Sequence, residues 1–137
     1  NTSDQPVDLS AVAFTEGVRF RFADSPIKTL APGARVVIVE NRDDFQARYG
    51  AGLPVAGQYQ DRLANGGERL LLTYGAGLPI HDLTYDDAWY PRTDGGGRSL
   101  EAREPIDPQA PLDGLDARWS RADAWRESLQ KGGSPGR

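Results

Sequence analysis

Glycine and proline set the limits of this chain. Sixteen glycines and ten prolines fall among 137 residues. Most stretches between them are too short for a long helix, so the sequence predicts short elements separated by many turns. What lies between the turns decides the class. Val18, Phe20 and Phe22 alternate with Arg19 and Arg21, which is the period of a strand with one wet face. Pro32-Gly33 makes a turn, and the β-branched run Val36 to Val39 reads as a central strand. Arg69 to Tyr74 reads as another strand after the turn pair Asn65-Gly66, and Ile80 to Tyr85 as its returning partner. Ser99 to Arg103 is the last clear strand.

One segment breaks the period. In "NRDDFQARYG", Asn41 or Asp43 can cap a short helix, Phe45 and Tyr49 stand four apart, and Gly50 can end it. A brief edge strand is expected around Val55. The expected fold class is therefore all-β, an antiparallel β-sandwich with one short helix on a connection. After Glu104 the chain reads differently. "EPIDPQAPLDGLDARW" has the composition of an extended loop. Ala117 to Leu129 is expected to hold a helical turn bearing Trp119 and Trp125, and "KGGSPGR" a frayed tail or linker. This divides the chain into a sandwich over 1–104 and a Pro-rich extension over 105–137 that packs on the domain or leads into a linker.

Composition narrows the chemistry. The net charge is −4 with cations scattered among acids, which disfavours nucleic acid as a partner. No apolar run approaches the ~20 residues of a membrane-spanning helix. The absence of cysteine excludes disulfides, thiolate metal sites and thiol catalysis.

Seven short motifs then fall in a recognisable order. They are "N-x-S-x-x-x-x-DLS" (Asn1 to Ser10), "L-x-PG-x-x-x-x-V" (Leu30 to Val39), "F-x-x-RYG" (Phe45 to Gly50), "LANGGERL-x-L" (Leu63 to Leu72), "D-x-x-YDD" (Asp82 to Asp87), "DGGGRSLE" (Asp94 to Glu101) and "GGSPG" (Gly132 to Gly136). In this order they resemble a bacterial lamin-tail domain. The resemblance covers nearly the whole chain and implies an immunoglobulin-like sandwich. It further implies a non-catalytic attachment or spacer module in a larger secreted or cell-envelope protein. A protein or cell-surface partner and strand-mediated self-association come with that reading.

Two departures stand out. The family often has Gly-Trp after "DLS", where this chain has Ala11-Val12. The family also usually opens with a strand before the Asn, whereas "NTSDQPVDLS" reads as the turn that follows one. A strand is therefore expected upstream of Asn1, and its neighbour should expose unpaired backbone groups. Another chain or an upstream segment can supply it.

The chemical candidates cluster in "YDDAWYPRTDGGGRSLE". Asp86, Asp87 and Asp94 could form a calcium loop, but their spacing matches no known one. Their simpler role is to accept backbone N–H bonds at a strand end, with Gly95 to Gly97 at positive φ. Gly95-Gly96-Gly97 with Arg98 could cradle a phosphate, but the sequence after them reads as a strand, not a helix. Asp86, Asp87, Glu101 and Glu104 offer carboxylates for glycoside hydrolysis, with nothing to set two of them apart. His81 is the only histidine and reads as a half-buried residue of the hairpin, too alone for a zinc site. Trp89, Tyr90, Trp119 and Trp125 could stack on a sugar, or close the ends of the core. Arg19, Arg21 and Arg35 read as a solvated face. No catalytic, cofactor or metal residue is assigned, and neither an enzyme nor a cofactor is expected. A carbohydrate-binding module and a calcium-dependent adhesion module are the alternatives.

Overall fold

The computed structural model describes residues 1–103 and 118–136. Among the described residues the main elements are β1 (Val7–Asp8), β2 (Val12–Glu16), β3 (Phe20–Arg21), β4 (Thr29–Leu30), β5 (Val37–Val39), α1 (Arg42–Tyr49), β6 (Val55–Gln58), β7 (Glu68–Tyr74), β8 (Leu78–Tyr85), β9 (Leu100–Ala102) and β10 (Trp125–Glu127). The all-β expectation holds.

The largest sheet is antiparallel throughout, in the order β3-β2-β7-β8. Its spine is the pairing of Phe14 with Leu72 and of Leu72 with His81. Three two-stranded pieces accompany it: β1 with β4, β5 with β6, and β9 with β10. β5 and β6 are parallel, and α1 lies on the crossover that parallel strands require. The core forms between the layers. Leu9, Val12, Phe22 and Ala56 are buried together, with Phe14 and Leu72 from the large sheet meeting Leu30, Val36 and Ile38 from the smaller pieces. Val12 thus fills core space with a small aliphatic side chain.

The helix follows its sequence signals. The Asn41 side chain accepts from the Asp43 and Asp44 amides at 2.8 and 3.1 Å. Gly50, at φ +82°, closes the last turn by donating to the Gln46 carbonyl. None of its residues is buried.

Three expectations need correction, and one alternative is decided. Val36 to Val39 is not a central strand, because among the described residues β5 has a partner on one side only. Phe22 leaves the alternation of Val18 and Phe20 to start a 3-10 turn, Phe22–Asp24. Trp125 stands on a strand, since Trp125, Arg126 and Glu127 pair with Ala102, Glu101 and Leu100. Of the two alternatives for the extension, its described end packs on the domain rather than fraying: Gly132 donates to the Gly97 carbonyl at 2.5 Å and its own carbonyl accepts from the Tyr49 hydroxyl. The Pro-rich run lies largely outside the described residues.

Candidate functional site

The segment from Tyr85 to Glu101 is a crossover between sheets. β8 ends at Tyr85 in the four-stranded sheet, and β9 begins at Leu100 in another. The two are not paired with each other, so the acids and glycines between them lie on a link between sheets. Asp86 caps a 3-10 turn by accepting from the Ala88 amide at 2.8 Å. Gly95 and Gly97 take positive φ, which L side chains rarely adopt.

The candidate acids do not converge. Asp94 accepts from Asn65 at 3.2 Å, Asp86 is spent on its cap, and Glu101 accepts from Ser134 and pairs with Arg126 at 3.4 Å. Among the described residues no group of three His, Asp or Glu side chains can hold a metal ion. Glu104 lies outside the described residues. Arg98 donates to the Ser128 carbonyl and, at 2.8 Å, to that of Leu129, so it binds chain rather than an anion.

Tyr90, Trp119 and Trp125 are joined by ring contact and hydrogen bonds. Trp119 is buried and meets Trp125 edge to face, with centroids 5.4 Å apart and planes at 68°. Trp125 Nε1 donates to the Trp119 carbonyl at 2.8 Å, and the Tyr90 hydroxyl lies 3.0 and 2.9 Å from the carbonyls of Ala122 and Trp125. Trp89 and Tyr90 are half-buried. The crossed tryptophans present no flat pair to a sugar ring. His81 is half-buried on β8, edge-on to Trp119 at 6.4 Å. Arg19 grips Asp61 through two bonds of 2.7 and 3.0 Å on an exposed face.

The most distinctive surface is one that motif reading did not locate. A groove of about 1040 Å³ opens between β5 and β9. Val37, Ile38 and Val39 line one side, and Ser99, Leu100 and Glu101 the other. Phe45 and Tyr49 of α1 and the docked Gly132 to Pro135 also line it. A second cavity of about 430 Å³ adjoins it, lined by Leu70, Leu83, Tyr85 and Trp125. Leu63, Ser99 and Leu100 line both. Leu63 is accordingly 47% exposed.

Backbone parity shows what the groove offers. Val37 N donates to the Pro54 carbonyl and Val39 O accepts from Tyr59 N, at 3.0 and 2.9 Å. Those residues face β6, so Ile38 between them turns its amide and carbonyl the other way. Ser99 O accepts from Ser128 N, and Arg103 N donates to Ala124 O, at 2.8 and 3.0 Å. Leu100 and Ala102 alternate with them and turn away from β10. Two sheet edges therefore flank the groove. β5 and β9 each have a partner on one side only among the described residues.

No family model, no curated protein and no solved structure matches the chain. Among the described residues no helix is long and apolar enough to cross a membrane.

Proposed function

We propose that this chain is a non-catalytic attachment module that engages its partner by accepting an extended strand in the groove between β5 and β9. The observation that carries this reading is the pair of edges at Ile38 and Leu100, which no described residue pairs with on the side away from β6 and β10, beside a groove that Val37, Ile38, Val39 and Leu100 help to line. Backbone hydrogen bonds supply affinity in such strand addition, and alternate side chains supply specificity. The order of the motifs supports an immunoglobulin-like lamin-tail sandwich, and with it a place in a larger secreted or cell-envelope bacterial protein. The dispersed carboxylates and carbonyl-bound Arg98 favour an interaction role over catalysis, calcium-dependent adhesion or phosphate binding.

The test is a titration of isotope-labelled protein with a capped seven-residue peptide alternating valine with threonine. Saturable shift changes should centre on the amides of Ile38, Leu100 and Ala102. Ile38→Pro, which deletes the donor facing the groove, should abolish them while the β7–β8 signals stay in place. Changes confined to the β8 edge, or none at millimolar peptide, would reject the reading.

A further inference from the structure

We infer that the groove takes the carboxyl end of a partner polypeptide, with the terminal carboxylate held by Arg48 and Lys131 and the strand running antiparallel to both β5 and β9. This rests on the strand-accepting reading and deepens it by naming the end of the partner that is captured.

The groove has a cationic end. A pocket of about 350 Å³ continues it, and Arg48, Tyr49 and Gly132 to Pro135 line both. Glycines seat the two cations. Arg48 Nη2 lies 3.1 Å from where a Cβ on Gly132 would stand, and Lys131 Cε lies 2.9 Å from where one on Gly97 would stand. Gly132 N is bonded to the Gly97 carbonyl at 2.5 Å, so the two seats are adjacent pieces of backbone. One cation comes from α1 and the other from the docked tail.

Neither cation forms an ion pair with a described residue. Two of the acids that line the groove are already paired, Glu40 with Arg62 at 3.0 Å and Glu101 with Arg126 at 3.4 Å. Asp44 stands in the first turn of α1, about 6 Å along the helix from Arg48. Positive charge is thus concentrated at one end of an otherwise balanced groove. A carboxylate is the complement that a polypeptide always carries at one terminus, and it matches the fork of a guanidinium.

The position of the pocket sets the direction of the strand. Val37, the first residue of β5, donates to the Pro54 carbonyl at 3.0 Å, and the adjacent Leu53 lines the pocket. β9 begins at Leu100, just after the Gly97 on which Lys131 rests. The pocket therefore marks the start of both flanking strands. A segment whose carboxyl end enters it runs against both, and each pairing is antiparallel, the more stable ladder. Directly opposed residues share a face. Ile38 packs against the core cluster, so the partner residue opposite it is apolar.

The experiment uses the seven-residue valine–threonine peptide in three forms: with a free terminal carboxylate, amidated, and amidated with Asp as its last residue. Binding is followed at the amides of Ile38 and Leu100. The free acid should bind at least about tenfold more tightly than the amide, and high salt should shrink that advantage. Arg48→Gln and Lys131→Gln should each bring the free acid down toward the amide. Arg48 also lies in the last turn of α1, where a cation is favoured. Lys131, exposed on the tail, is the variant free of that second role. A nitroxide on the peptide's first residue should broaden Val39 and Ala102 and spare Gly97 and Gly132. Equal binding of acid and amide would overturn the carboxylate assignment and leave the strand-accepting reading intact. Equal binding of the free acid and the amidated Asp form would overturn capture of a chain terminus. An acid advantage that survives both substitutions would overturn the roles of Arg48 and Lys131, and broadening at Gly97 would overturn the direction. Binding by no form would overturn both readings.

Discussion

Tyr85 ends β8 where the large sheet meets the apolar cavity beside the groove. Its hydroxyl donates to the Ala64 carbonyl at 2.5 Å and lies 3.2 Å from a Glu68 carboxylate oxygen. Burial, and then the charge of Glu68, push the phenol up from its ordinary 10.0 to about 12. The sign of the linkage follows. An unfolded phenol ionises first, so the stabilisation is fully present below about pH 10 and is lost as pH rises through about 12. Tyr85→Phe should cost about 1 kcal/mol at neutral pH through the lost bond to Ala64. Its Tm should then fall less steeply than that of the parent between about pH 10 and 12, so the two curves converge. Parallel curves in a pH series of thermal melts would show that the phenol is not held back by its surroundings.

At the scale of elements, the hairpin and the helix show what sequence can carry. Asn65-Gly66 marks a turn before β7, and a turn is there, but the strained position is the next one. Gly67 has φ +107°, and a Cβ on it would sit 2.4 Å from the Tyr85 carbonyl oxygen, whereas one on Gly66 would meet nothing within 4 Å. Gly67→Ala should therefore cost about 2–4 kcal/mol, and Gly66→Ala less than about 1. Urea titrations of both variants distinguish them, and equal midpoints would contradict this assignment. α1 was legible because its cap, its Phe45–Tyr49 pair and its terminal Gly50 are all local. β10 was not. Trp125, Arg126 and Glu127 do not alternate in hydrophobicity, and their strand state comes from pairing with Leu100 to Ala102, a long-range contact. The groove was legible only in part. An exposed edge could be expected from the resemblance, but its flank on β9 required knowing that β9 pairs with β10 and not with β8. The dispersal of Asp86, Asp94 and Glu101 was hidden for the same reason, since adjacency in sequence says nothing about which backbone amide or cation each will meet.

At the scale of the whole molecule, the groove depends on the docking of the chain's last residues. α1 has eight residues and buries none of them, and isolated helices this short are marginal in water. Its ties to the rest of the fold include the Arg42 amide bonded to Gln58 at 2.8 Å, the Arg42 guanidinium donating to the Val55 carbonyl at 3.4 Å, and Tyr49, whose hydroxyl donates to the Gly132 carbonyl. The same terminal stretch reaches β9, because Ser134 donates to Glu101 and Gly132 N to the Gly97 carbonyl. One short stretch thus ties the helix beside the groove to the strand on its far side. Ending the chain after Gln130 removes all three bonds but leaves β10 and the large sheet in place. Amide exchange at Phe45 and Gly50, whose N–H groups close α1 on Asn41 and Gln46, should accelerate at least about tenfold, while amides in β7 change by less than about twofold. Tyr49→Phe in the full chain should move the same α1 amides in the same direction by a smaller factor, because it removes one of the three ties. Uniform acceleration across β7 and α1 would mean that the tail stabilises the fold globally. Unchanged α1 exchange would mean that the helix holds itself, and the groove would then keep its shape without the C-terminus.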